Sequence, residues 1–204
     1  PTPRHRWEEL VHSQGMPPAT QIQYSQGPRS PESPETLQPP RTLLQPPRIL
    51  VLTAGCDELA DGCYRLDFIW PGESWPDDDT IVCPETEPAL SPLRPLLKRL
   101  APAADLSAMA RACLDQGWLA GAALHICYTA DLDRLDRRCG PRGYRGTMMA
   151  AGLLGNNLYL AAAPQGLGCC GIGAFYADEA AAILQLAEPE RLLYLVAVGA
   201  VRGR

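Results

Sequence analysis

Residues 142–199 read RGYRGTMMAAGLLGNNLYLAAAPQGLGCCGIGAFYADEAAAILQLAEPERLLYLVAVG. The pattern runs helix, glycine-rich turn, short extended piece, helix, apolar strand. Tyr144 to Pro164 is the longest helical stretch, with small residues Ala151, Gly152 and Gly155 beside bulky ones. Small residues let another backbone or a flat ring approach closely. Gly166-Leu167-Gly168 ends the helix, because glycine tolerates a left-handed C-terminal cap. Cys170 to Gly173 is short and extended. Asp178 caps a helix over Glu179 to Leu186, placing negative charge at its first turn. Leu192 to Val198 reads as an apolar strand. Beyond it stand Arg202 and Arg204, which suit a phosphate.

The turn from Gly166 to Gly173 offers backbone N–H groups to an anion or to ring heteroatoms. It follows a helix, whereas the dinucleotide fingerprint follows a strand, and no Gly-Lys-Ser/Thr comes after it. Without a ligand, the same residues serve as a helix cap and a tight helix–strand packing turn.

Upstream, Ile49 to Leu52 is a short apolar run and Gly62 to Asp67 alternates, so both read as strands. A further strand is expected at Thr80–Cys83. Leu93 to Leu100 is expected to be helical. Asp105 caps a second helix that turns Leu106, Met109, Ala110 and Cys113 to one side. Ala122 to Tyr128 is expected to be a central strand. Eleven of the 21 prolines fall in residues 1–50. Proline fixes φ and removes donors, so residues 1–48 read as an extended arm or linker. A short helix is expected within Arg4 to Gly15. The packed domain is expected over 49–204, with alternating helices and strands in α+β layers.

The chain has 204 residues, 18 basic and 23 acidic, for a net charge of -5. The acidic balance argues against nucleic acid as a partner. No run of 18 apolar residues suggests a membrane span. The N-terminal stretch is polar and Pro-rich, unlike a secretory signal, so a cytoplasmic location with reduced thiols is expected. The eight cysteines show no C-x-x-C spacing, and no metal site is expected. His125, in an apolar strand, reads as a satisfied core histidine.

In order and spacing, residues 140–199 resemble the C-terminal half of the FMN-dependent nitroreductase superfamily. They are most similar to its SagB-type branch, the azoline dehydrogenases of thiazole/oxazole-modified peptide biosynthesis. That branch's long helix, G-H-x-x-Q-N-L-x-L-A-A, is matched by Gly152, Asn156, Asn157, Leu158, Leu160, Ala161 and Ala162. Its preceding motif, K-Y-G-x-R-x-Y-R, is matched by Gly140, Arg142, Tyr144 and Arg145. The resemblance extends more loosely over about residues 49–199.

The resemblance implies a three-layer α+β fold whose mostly antiparallel central sheet is flanked by helices. It implies FMN held between two subunits, as a homodimer or as a heterodimer with a nitroreductase-like paralogue. Gly171, Ile172, Gly173 and Ala174 would line the flavin, with Arg202, Arg204, Arg142 and Asn157 as further cofactor contacts. The substrate's Cα proton would go to a base and hydride to the flavin. The branch's Lys-Tyr pair is replaced here by Arg138-Cys139, which makes these the catalytic candidates. Arginine is a poor base, so Cys139 or a residue of a partner chain would be the base, the Cys139 thiolate being favoured by neighbouring arginines. The branch's helix histidine is Leu153. The R-R-S-x-R phosphate segment has no counterpart, so the first half of the fold reads as truncated and a partner chain would complete the site. The expected activity is oxidation of azolines to azoles in a peptide, within a biosynthetic complex. The alternative is a degenerate, non-catalytic subunit that scaffolds or completes the flavin site of a catalytic partner.

Overall fold

The computed structural model describes residues 10, 13–14, 46–56, 59–69, 80–82 and 94–201. Seven strands form one sheet: β1 (Arg48–Thr53), β2 (Gly62–Ile69), β3 (Thr80–Val82), β4 (Arg94–Ala101), β5 (Leu124–Asp131), β6 (Leu167–Ile172) and β7 (Glu190–Ala200). Their order is β3-β4-β2-β1-β5-β7-β6, and every neighbouring pair is antiparallel. The α-helices are α1 (Leu106–Ala112), α2 (Leu132–Cys139), α3 (Gly143–Ala162) and α4 (Ala177–Ile183).

The sheet separates two cores, as side-chain alternation along a strand requires. On one face Ile49, Val51, Ile126, Tyr128 and Val196 pack against Leu154 and Leu158 of α3. On the other, Leu50, Leu52, Cys127, Leu195 and Ala197 pack against Leu106 and Met109 of α1 and Ala180 of α4. The result is the expected three-layer α+β architecture. Leu10 and Gln14, from the Pro-rich end of the sequence, are each 1% exposed and belong to the α3 side.

Residues 94–101 correct the expected helix over Leu93 to Leu100: they form β4. Pro95 explains it, since proline inside a helix removes a hydrogen bond and clashes with the preceding turn. In β4 it pairs opposite Phe68, and Leu96 and Leu97 are buried. A second correction is α2, which apolar periodicity missed because only Leu135 is buried. Its start is set by Asp131, whose carboxylate accepts from the Arg134 amide at 2.7 Å, a cap that typically contributes about 1 kcal/mol. Asp105 caps α1 as expected, accepting from the Ala108 amide at 2.7 Å. Asp178 does not cap α4; Tyr176 holds that position and Asp178 lies in the first turn. Gly166, at φ 71°, makes the expected left-handed turn after α3.

Candidate functional site

The glycine-rich stretch forms β6, which among the described residues is an edge strand paired only with β7. Two glycines there are required by a side chain. A Cβ on Gly171 would lie 1.9 Å from the Tyr194 hydroxyl, and one on Gly155 would lie 2.8 Å from Tyr194 Cε1. The ring that the small residues admit is therefore Tyr194 of the same chain. Gly152 is not part of that stripe: it is exposed on the outer side of α3, while Ala151 and Gly155 are buried. The Gly171 amide donates to the Tyr159 hydroxyl at 2.8 Å, tying β6 to α3. Tyr194 stacks on Tyr128 with centroids 5.8 Å apart and planes 15° apart. The Tyr128 hydroxyl donates to Gln14 Oε1 at 2.6 Å. Burial raises both phenols above their ordinary range, first by desolvation and then by neighbouring tyrosines and thiols. Both stay neutral at any working pH.

The other candidates are spread out. Ile172 is buried in the core opposite α3, so its side chain is structural. Gly173 and Ala174 are exposed, and nothing lies within 4 Å of a Cβ on Gly173. Asn157 donates to the Ser13 carbonyl at 3.2 Å and so holds the N-terminal segment. Arg138 and Arg142 are exposed, and Cys139 is half-buried at the end of α2. A Cβ on Gly143 would meet Cys139 Cβ at 2.9 Å, which fixes Cys139 at the start of α3. Gly143 and Gly155 are separated along α3 by about 18 Å at the usual helical rise. One chain therefore does not bring Cys139 to Gly171. Arg202 and Arg204 lie outside the described residues, as do Trp70, Trp75 and the Asp77–Asp79 run.

An open groove of about 520 Å³ lies over the other end of β6, lined by Trp118, Gly121, Cys169, Cys170 and Gly199 among others. The Cys169 thiol is pushed up to about 11, by burial and then by Cys170, so it is a protonated thiol at neutral pH. Among the described residues no group of three His, Cys, Asp or Glu side chains is placed to hold a metal ion, and no helix is long and apolar enough to cross a membrane.

The sequence pattern of the nitroreductase family matches residues 77–200, more than half of the chain. The chain belongs to the nitroreductase family. Over 85 residues it is 38% identical to a nitroreductase-family protein of Methanocaldococcus jannaschii, a match covering 42% of this chain and 43% of that protein. A crystal structure of a nitroreductase-like protein from Anabaena variabilis superposes with a TM-score of 0.60 at 26% identity, over 76% of this chain and 27% of that one. The E. coli microcin synthetase McbBCD complex with truncated pro-MccB17 bound gives a TM-score of 0.58 at 16% identity, over 97% of this chain and 63% of that one. That last likeness is one of fold. Less than half of each of the first two relatives is spanned.

Nitroreductase folds imply FMN, and the described residues fit it in part. The open backbone at Gly173–Ala174 suits a flavin edge, because exposed N–H groups can meet ring heteroatoms. Gly171, however, already spends its amide inside the chain, and Asn157 commits one of its two side-chain N–H groups to Ser13. The wall available in a single nitroreductase-family chain is thus narrower than the four residues from Gly171 to Ala174.

Four residues of this region escaped the sequence reading: Tyr128, Tyr159, Tyr194 and Gln14. Their roles depend on cross-strand register and on a contact spanning 114 positions, which no local pattern carries.

His125 corrects one further expectation. Its Nε2 lies 2.9 Å from the Leu119 carbonyl, but its buried Nδ1 has no partner among the described residues. Burial lowers its pKa, partly offset by the Leu119 hydrogen bond. The unfolded chain therefore takes up a proton below about pH 6.5 that the folded chain resists, so stability is complete above that pH and falls below it. The expected slope is up to about 1.4 kcal/mol per pH unit. Melting at pH 7.5, 6.5 and 5.5 checks this: H125Q should flatten the loss, and equal slopes in both proteins would refute it.

Proposed function

We propose that the chain is a subunit of an FMN-dependent, SagB-type oxidoreductase that oxidises azoline rings of a modified peptide, with its flavin slot completed by a second nitroreductase-type chain. The observation that carries this reading is the outer side of α3. Met149 is 52% exposed, Leu153 53% and Leu160 65%, and they share one stripe with exposed Gly152 near its middle. A stripe of this kind, apolar apart from exposed Asn156, on a helix already buried on its inner side calls for a partner. A twofold pairing about Gly152 sets the start of one α3 beside the end of the other. Arg138, Cys139 and Arg142 of one chain then face Tyr159 and Gly173–Ala174 of its mate. This is how groups far apart in one chain come to serve one site.

FMN bound there supplies a two-electron acceptor. The chain's own contributions are the Gly173–Ala174 backbone along the ring edge, positive charge from Arg142, Arg202 and Arg204, and Cys139 as a candidate base for the substrate's Cα proton, unless a partner residue takes that role. The SagB-type motifs at 140–162 favour a peptide azoline as substrate, as does the fold shared with a complex solved with truncated pro-MccB17 bound.

The test is the absorbance and mass of the purified protein, alone and co-expressed with candidate nitroreductase-type partners. A yellow dimer supports the reading. A protein colourless in every combination, with or without added FMN, removes it. The engaged Gly171 and Asn157 donors favour a second reading, a scaffold subunit; a colourless chain that co-purifies with a flavin-bearing partner selects it.

A further inference from the structure

We propose that the cleft between α3 and β5 is a docking socket for a short peptide, and that this chain's own Leu10–Gln14 segment is its tethered occupant. The segment meets the core from far away in sequence: Gln14 reaches Leu154 across 140 positions. Leu10 is 1% exposed and joins the cluster of Tyr128, Leu154 and Leu158. Gln14, also 1% exposed, donates through Nε2 to the Leu154 carbonyl at 3.1 Å. Its Oε1 accepts from the Tyr128 hydroxyl at 2.6 Å. Asn157 reaches the Ser13 carbonyl at 3.2 Å, and Ser13 Oγ closes the turn on the Leu10 carbonyl at 2.6 Å.

The chemistry of the socket is specific. It asks for an apolar side chain and, four residues on, an amide that both donates and accepts. A carboxylate there could accept from Tyr128 but not donate to Leu154, and an alkyl chain would strand both buried groups, which is costly. The Leu154 carbonyl lies within a helix, so its second lone pair is what Gln14 uses. The socket therefore recognises Leu-x-x-x-Gln in a turn, and a covalent tether raises the local concentration of its occupant.

The test uses the full chain carrying L10D and Q14A, which empties the socket, and a fluorescent peptide spanning residues 4–18. The variant should bind the peptide saturably, and wild type at least about tenfold more weakly, because its own segment competes. The same peptide with the Q14L change should not bind. A folded variant that ignores the peptide, or equal binding by variant and wild type, overturns the proposal. Should the double variant not fold, Q14A alone is melted with and without peptide. A rise in melting temperature supports the socket, and no rise makes the segment an inseparable part of the core and overturns it.

Discussion

Replacing Gly171 with alanine should destabilise the protein by about 3 kcal/mol, the upper end of overpacking costs. For a domain of this size that lowers the melting temperature by about 6–12 °C. The new Cβ would sit 1.9 Å from the Tyr194 hydroxyl oxygen and 2.8 Å from Cζ. Neither side can move cheaply. Gly171 is in register with Val196 on β7 and tied to Tyr159 through its amide. Tyr194 is held from behind by its stack on Tyr128 and lies where Gly155 has no side chain. Adding Y194F removes the closest contact but leaves the ring carbon, so the double variant should recover about half of the loss; a coupling of this size is what neighbouring sites show. Gly173 is the control. With nothing within 4 Å of a Cβ there, G173A should melt within about 0.5 kcal/mol of the parent. If Gly173–Ala174 lines the flavin, G173A should nonetheless lower flavin occupancy. A melt of G171A that matches the parent would show that Tyr194 is not fixed where it is described.

These glycines show how much the sequence could reveal. Local signals placed β1, β2, β5, α1, α3 and β7, because each carries its own periodicity or cap. Pro95 argues against a helix over Leu93 to Leu100 by the same physics that marks the arm. The site was legible only as a stretch of small residues. That Gly155 and Gly171 serve one tyrosine depends on β6 folding back beside β7 under α3, a tertiary fact with no period in the sequence. Gln14 is a sharper case. Nothing in a Pro-rich, polar surrounding distinguishes it, and yet it is one of the most buried polar side chains described. Cys139 and Arg138 stand out only by their place in a motif, and the fold sets them at the opposite end of α3 from the glycine turn. The motif is informative about the site only if two chains contribute to it.

That condition leads to the second large effect. Placing aspartate at both Met149 and Leu153 should leave the monomer folded while abolishing dimerisation, with the dissociation constant rising at least about 10⁴-fold, or about 5.6 kcal/mol. Both side chains are more than half exposed in one chain, so the fold loses little beyond the weak helix propensity of aspartate, about 0.5 kcal/mol per site. At a twofold contact each substitution occurs twice, so four carboxylates meet in an apolar seam around Gly152. Burying unpaired charge costs several kcal/mol apiece unless it is neutralised. If two chains pair along α3 as proposed, sedimentation velocity should then show a monomer in place of the parent's dimer, with an unchanged far-ultraviolet spectrum and a cooperative melt lowered by a few degrees. On the proposed two-chain site, flavin should be lost in the same step, since Arg138, Cys139 and Arg142 of one chain would no longer reach Gly173–Ala174 of the other. A double variant that stays dimeric would move the interface off α3, and one that becomes monomeric yet keeps its flavin would confine the cofactor to a single chain.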